Sequence, residues 1–252
     1  MKKLFFVLIA VCMAGAVNAQ ELTNKKGTPI LPKAGDWGLG IDATPLFNVL
    51  KFNNNAEPAF SSASFYGKYF LNNKTALRGR VRLGFQNLTE ITPVDKDGGA
   101  AGEQVDDKEI IKNLDILLGF GIEKRIGSTR LQGIYGVEGN LGFGLNNSRK
   151  YTYGNEMTST SVPSTRPTAQ NAGFGFQVGV YVFGGVEYFV APGISLGGEL
   201  SWGIEYQSEG KGEETVEYYS GGVKTRTEKT PGTSRFGFAK NLRGGINMCF
   251  YF

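Results

Sequence analysis

Histidine is absent from all 252 residues, and with it go the commonest general base and the commonest metal ligand. Cysteine is nearly absent. Cys12 lies in the N-terminal apolar run and only Cys249 follows it, so a chain that has lost its first residues can form no internal disulfide. Net charge is small as well. The chain has 27 basic and 23 acidic residues, and loss of Lys2 and Lys3 with a leader brings the balance near +2, which points to no nucleic acid or other polyanion as partner. After residue 20 nothing approaches the run of ~20 apolar residues that a spanning helix needs, which excludes a helical membrane protein. Helical periodicity is missing too, apart from a turn or two at "PLFNVLKF", 45–52.

What is present begins with "MKKLFFVLIAVCMAGAVNAQ": two lysines, an apolar run from Leu4 to Val11, and small residues leading to Val17-Asn18-Ala19. This pattern predicts a secretory signal, residues 1–19, cleaved after Ala19. A periplasmic N-terminal segment, 20–35, and one β domain, 36–252, are expected to follow. Alternating tracts rich in Val, Ile, Phe, Tyr and Gly predict eight strands, near 36–44, 60–71, 76–89, 109–126, 130–144, 173–190, 194–206 and 236–252.

The connections fall into two length classes that alternate strictly. "NNKT" (72–75), "GST" (127–129) and "APG" (191–193) are short, whereas 45–59, 90–108, 145–172 and 207–235 are long and polar. That is the outline of an all-β, membrane-spanning up-and-down antiparallel β-barrel of eight strands, with three short periplasmic turns and four long extracellular loops. Within 207–235, "EETVEYYSGGVKTRTEK" alternates on both sides of Gly221-Gly222 and predicts a hairpin standing in water. The tight hairpins share a weak repeat, Leu77/Gly79, Leu131/Gly133 and Leu196/Gly198.

Sorting the strands by parity separates two faces. Leu77, Val81, Leu83 and Phe85 alternate with Arg78, Arg80, Arg82 and Gln86. Leu114, Ile116, Leu118, Phe120 and Ile122 alternate with Asn113, Asp115 and Glu123, and Leu196, Leu200, Trp202 and Ile204 with Ser195, Glu199, Ser201 and Glu205. The apolar face is broad and aromatic-ended; the charged face is narrow and rich in small residues. An eight-stranded barrel has an interior just wide enough for side chains to fill it. Glycines 79, 119, 121, 175, 179 and 197 are therefore expected along a crowded inner wall. On the lipid face a basic residue would cost ~2–4 kcal/mol at mid-bilayer, whereas inside the lumen charges can pair. The inward set is Asp42, Lys68, Arg78, Arg80, Arg82, Asp115, Glu123, Glu138, Glu187, Glu199, Glu205 and Arg243, seven acids and five bases. Lys112 and Lys240 have lipid-facing parity, and counting along their strands places both at the outer rim, in contact with lipid, where long stems snorkel.

"GGINMCFYF" ends the chain with Ile246, Met248, Phe250 and Phe252 on one face. This resembles the C-terminal assembly signal of outer-membrane barrels. Over 36–252 the pattern resembles the small eight-stranded outer-membrane proteins of the OmpA transmembrane-domain and OmpX type. The resemblance implies an integral protein of the cell outer membrane, engaged by the barrel assembly machinery and bathed in lipid and lipopolysaccharide. No peptidoglycan-binding domain follows the barrel in this sequence, which argues against wall anchoring.

Three functional readings remain open. The first is a non-enzymatic barrel with a structural, accessory or surface-interaction role, meeting a protein partner through 145–172 and 207–235. A small-solute or ion pore is the second, opposed by the near-balance of inward charges, which reads as an ion-paired plug. An outer-membrane enzyme is the third; the enzymatic barrels of that membrane lean on a histidine this chain lacks. "SEGKGEE" is no phosphate loop and "GFGFQVG" has no following helix, so no cofactor is expected.

Overall fold

The period-two alternation becomes twelve antiparallel strands in a computed structural model that describes residues 22–42, 62–239 and 243–252. The strands are β1 (Trp37–Asp42), β2 (Ser62–Asn72), β3 (Thr75–Asp95), β4 (Gln104–Ile126), β5 (Leu131–Thr152), β6 (Thr165–Asn171), β7 (Gly175–Ala191), β8 (Ile194–Glu209), β9 (Gly212–Tyr219), β10 (Val223–Thr230), β11 (Thr233–Phe238) and β12 (Arg243–Tyr251). Among the described residues there is no helix, so the all-β reading holds. The expected signal peptide, the 45–59 connection and the turn at "PLFNVLKF" lie outside the described residues.

Eight of these strands pair in a closed ring. Each of β1 to β5 pairs with the next, β5 pairs with β7, β7 with β8, β8 with β12, and β12 with β1. These eight match the expected strands, the last of them divided between β11 and β12. At the seam Trp37 and Phe252 exchange both backbone hydrogen bonds, at 2.9 and 3.0 Å, and the register runs on from Gly38↔Tyr251 to Asp42↔Asn247. Phe252 thus locks the last strand to the first. Deleting it should lower the yield of folded, heat-modifiable protein in cells; an undiminished yield on semi-native gels would show that the seam forms without it.

One end of the ring carries the short turns at 73–74, 127–130 and 192–193 together with the described N-terminal segment, 22–36, and the C-terminal residue. The N-terminal segment is tied there: Gly35 N–H donates to Phe70 O at 2.8 Å, and Ala34 N–H to Asn73 Oδ1 at 3.0 Å. Ile30 is only 2% exposed. Gly193, with φ of 70°, lets its turn pass so close to β12 that a Cβ there would stand 2.7 Å from Tyr251 O.

The opposite end is more ordered than its polar composition predicts. The 90–108 connection is a continuation of β3 and β4, paired as far as Asp95↔Gln104, which reduces the loop to 96–103. Within 145–172, β5 continues to Thr152 and β6 follows. The 207–235 segment holds the expected hairpin, β9 and β10, with Gly221 and Gly222 at positive φ. Beyond the ring the order is β3-β4-β5-β6-β9-β10, an open sheet. Apart from the β9–β10 hairpin, these polar stretches carry no apolar alternation, so propensity alone could not distinguish them from loops.

Burial is inverted relative to a soluble sheet. Outward residues remain exposed although large and apolar: Phe120 at 69%, Phe85 at 66%, Trp37 at 53%. Inward residues are buried although charged. Crowding by neighbouring backbone at some positions and by polar side chains at others explains the inner glycines. A Cβ on Gly119, Gly121, Gly179 or Gly197 would meet an atom within 3 Å, as expected of a crowded wall, and Gly175 is nearly as tight. Gly79 corrects the expectation: it shares the outward parity of Leu77 and Val81, and a Cβ there meets nothing within 4 Å.

Candidate functional site

Each buried lumen carboxylate has a glycine directly opposite it on a neighbouring strand. Glu123 faces Gly136, Glu138 faces Gly121, Glu187 faces Gly197, Glu199 faces Gly185, and Glu205 faces Gly179. Directly paired residues share a sheet face with Cβ atoms ~5 Å apart. A missing side chain opposite lets the glutamate lie over its neighbour and reach a base across the lumen. The glycines that interrupt the apolar tracts are thus the counterpart of the charges, and the two are placed by one register.

Nearest the turn end, Lys68 Nζ lies 3.0 Å from Glu123 and 3.4 Å from Glu187. Arg125 Nη2 lies 3.0 Å from Glu123 and 2.6 Å from Glu187, and its Nη1 donates to Gln132 Oε1 at 3.1 Å. Ser195 and Tyr251 both donate hydroxyl hydrogen bonds to Glu187. Phe70 and Phe189, fully buried, close this tier, with the Arg125 guanidinium 4.8 Å from the Phe70 ring centroid.

In the middle tier Arg78 grips Glu199 through two hydrogen bonds of 2.7 Å, and Arg80 Nη2 adds a third at 2.7 Å. Glu138 takes charge contacts from Arg78 Nε at 2.9 Å and Arg80 Nε at 3.2 Å, out of line for hydrogen bonds. Arg78 Nη1 reaches Glu123 at 3.7 Å and joins the two tiers. Its guanidinium also sits over Phe183, 4.3 Å from the ring centroid. Lys68, Arg78, Arg80 and Arg125 thus balance Glu123, Glu138, Glu187 and Glu199. Fork-to-carboxylate geometry is the strong form of such pairing.

A third group sits nearer the open end, where Glu205 accepts from Tyr181, from Gln177 and Gln207 at 2.9 Å each, and from Arg235 at 2.8 Å. Two cavities open beyond the middle tier. One of about 480 Å³ is lined by Arg82, Asp115, Gln177 and Arg235 among others; one of about 330 Å³ has Arg80 and Glu199 in its wall, with Asp42 and Arg82.

The predicted inward set therefore divides. Lys68, Arg78, Arg80, Glu123, Glu138, Glu187 and Glu199 form one network, Glu205 belongs to another, and Asp42, Arg82 and Asp115 line the cavities instead. Of the carboxylates that β4 brings to this face, Glu123 reaches Arg78 only at 3.7 Å. The bidentate partner of Arg78 is instead Glu199, 121 residues away on β8. Alternation assigns a face but says nothing of height or of what lies across a tube. The Arg243 side chain and Lys240 lie outside the described residues. Lys112 is exposed with outward parity, opposite Asn87 and Ser148. Ile246, Phe250 and Phe252 are exposed on the outward face of the last strand, with Met248 half-buried between them.

Sequence reasoning placed Ser195 and Tyr181 on the inward face but missed Arg125, Arg235, Gln132 and Tyr251. Arg125 shares the parity of Glu123 but stands beside Lys124 and two residues from a turn, where charge reads as solvated. Arg235 falls one residue before the predicted start of the last strand. Extending the alternation by one step would have recovered each.

Among the described residues no cluster of three or more His, Cys, Asp or Glu is placed to hold a metal. A scan against protein-family models finds no match to this chain, and a search of curated proteins finds no relative of it.

Proposed function

We propose that the eight-stranded ring is a transmembrane β-barrel of a bacterial outer membrane, with its short turns in the periplasm and its long hairpins outside. In this reading it is non-enzymatic and acts through its outer sheet and lipid-facing wall, in a structural, surface-interaction or accessory role. The observation that carries the proposal is the inverted burial. Soluble monomers rarely expose contiguous apolar patches beyond a few hundred Å², whereas here the exposed outward face bears Trp37, Leu39, Phe65, Val81, Phe120, Val182 and Leu200 around the ring while Glu123 and Glu187 are fully buried. A closed ring also pairs its edges, the condition for strands in lipid. No helix among the described residues is long and apolar enough to cross a membrane.

The paired lumen supports a closed barrel over a pore. Two complete tiers of ion pairs and aromatic rings fill the section between the cavities and the turn end. The purified protein should float with phosphatidylcholine vesicles and conduct negligibly in planar bilayers. Recovery as a detergent-free soluble monomer would overturn the membrane reading; steady wild-type conductance would replace the plug with a pore.

Orientation has its own test. Single cysteines at Ser161 and Ser220, in a Cys249→Ser background, should react with an impermeant maleimide on intact cells. Cysteines at Asn73 and Ser128 should react only after lysis. The reverse pattern would invert the barrel and remove the outer sheet from the cell surface.

A further inference from the structure

Above the apolar band of β4, the outward face changes character within one residue pair. Leu114, Ile116, Leu118 and Phe120 give way to Lys112, Ile110 and Lys108. Lys150 on β5 lies directly opposite Ile110, so it stands diagonally between Lys108 and Lys112 on the same face. Diagonal neighbours of this kind are ~7–8 Å apart, and Lys108 and Lys112, four residues apart on one strand, are separated by ~13 Å. All three lysines are exposed. The pairs flanking the triangle are neutral: Asn87, Thr89 and Ile91 on β3, Ser148 and Thr152 on β5, and Ala169 and Asn171 on β6. Glu109, between the lysines along β4, is turned to the other face, where Arg149 holds it at 3.2 Å, and Glu213 on the outward face lies beyond Asn171, three strands from Lys112. Asp106, the next outward residue beyond Lys108, lies on the side away from Lys112 and Lys150, opposite Pro93.

We infer that Lys108, Lys112 and Lys150 form a binding site for a bisphosphorylated glycolipid headgroup in the outer leaflet. The inference rests on the membrane reading proposed above and assigns it a specific lipid contact. The triangle begins where the apolar wall ends, at the depth of the headgroups. Its long edge, ~13 Å along the backbone, lets flexible lysines at both ends reach two phosphates of one headgroup, and Ile110 midway along that edge offers an apolar seat for the sugar faces. Ammonium groups donate three hydrogen bonds each and tolerate varied phosphate geometry. The bulge in β5, where Lys112↔Ser148 is followed by Leu114↔Leu145, turns Lys150 onto this face; without the extra residue it would point the other way.

The test uses the full chain in mild detergent, titrated with lipid A carrying two phosphates and read by native mass spectrometry. Wild type should bind on the order of 10- to 100-fold more tightly than the Lys108→Gln/Lys112→Gln/Lys150→Gln variant, as loss of three interfacial charges implies. Dephosphorylated lipid A should bind wild type as weakly as the triple variant binds the intact lipid. Lys224→Gln/Lys229→Gln on β10 should change nothing. Equal affinity of the triple variant, or equal affinity of wild type for dephosphorylated lipid A or for phosphatidylglycerol, would overturn the site. Flotation of every variant with phosphatidylcholine vesicles reads the membrane proposal separately, and its failure would overturn both.

Discussion

Glu199→Ala is expected to lower the urea midpoint of the folded ring by roughly 1–5 M and to make an otherwise closed lumen conduct. Three hydrogen bonds of 2.7 Å from Arg78 and Arg80 converge on this carboxylate, which is 6% exposed. Its loss leaves two guanidinium groups beside Tyr66 with Glu138 as their remaining close acceptor. Breaking one side of a buried pair costs ~3–5 kcal/mol, since the other charge stays desolvated, and an m-value of ~1–3 kcal/mol/M converts that into the shift stated. Two measurements separate this from simple loss of packing. Arg80→Ala in the Glu199→Ala background should recover part of the midpoint by removing the uncompensated charge, and Val180→Leu on the outward wall should change neither midpoint nor conductance. Recovery of nothing by the double variant would mean that the carboxylate serves packing rather than charge balance.

Gly136→Ala is expected to prevent the ring from closing. A Cβ at this position would lie 1.9 Å from Ile122 O and 2.8 Å from the Phe183 ring. The first contact is backbone in the adjacent strand, so no rotamer change relieves it, and the strand must move away from the partner that holds Glu123 opposite. Overpacking a core costs ~1–3 kcal/mol even where side chains can adjust; here the pairing itself must yield. The heat-modifiable form should be almost lost. Gly67→Ala and Gly79→Ala, where an added Cβ meets nothing within 4 Å, should fold at wild-type yield. Equal behaviour of all three variants would show that the inner glycines serve flexibility rather than space.

Both predictions depend on features that were legible to different degrees. Leu77, Val81 and Phe85 against Arg78 and Arg80 declare two faces without any structure, because side chains on an extended backbone alternate whatever their neighbours do. The three short turns were legible for a similar reason: turn residues act locally. The outer sheet was less so. Glu90, Thr92 and Asp95 pair along β3, yet water on both faces left them no pattern to show.

Parity, turn positions and the choice of charged residues for the inner face were determined by the sequence itself, since each follows from the chemistry of one strand at a time. The tertiary structure alone decided which charges meet. Arg78 meets Glu123 next door only at 3.7 Å, while the stagger of the closed ring brings Glu199 from β8 and Glu138 from β5 to its height, at 2.7 and 2.9 Å. It also set Gly136 and Gly185 opposite the glutamates they accommodate. Register and closure are properties of all eight strands together, and no single stretch of chain carries them.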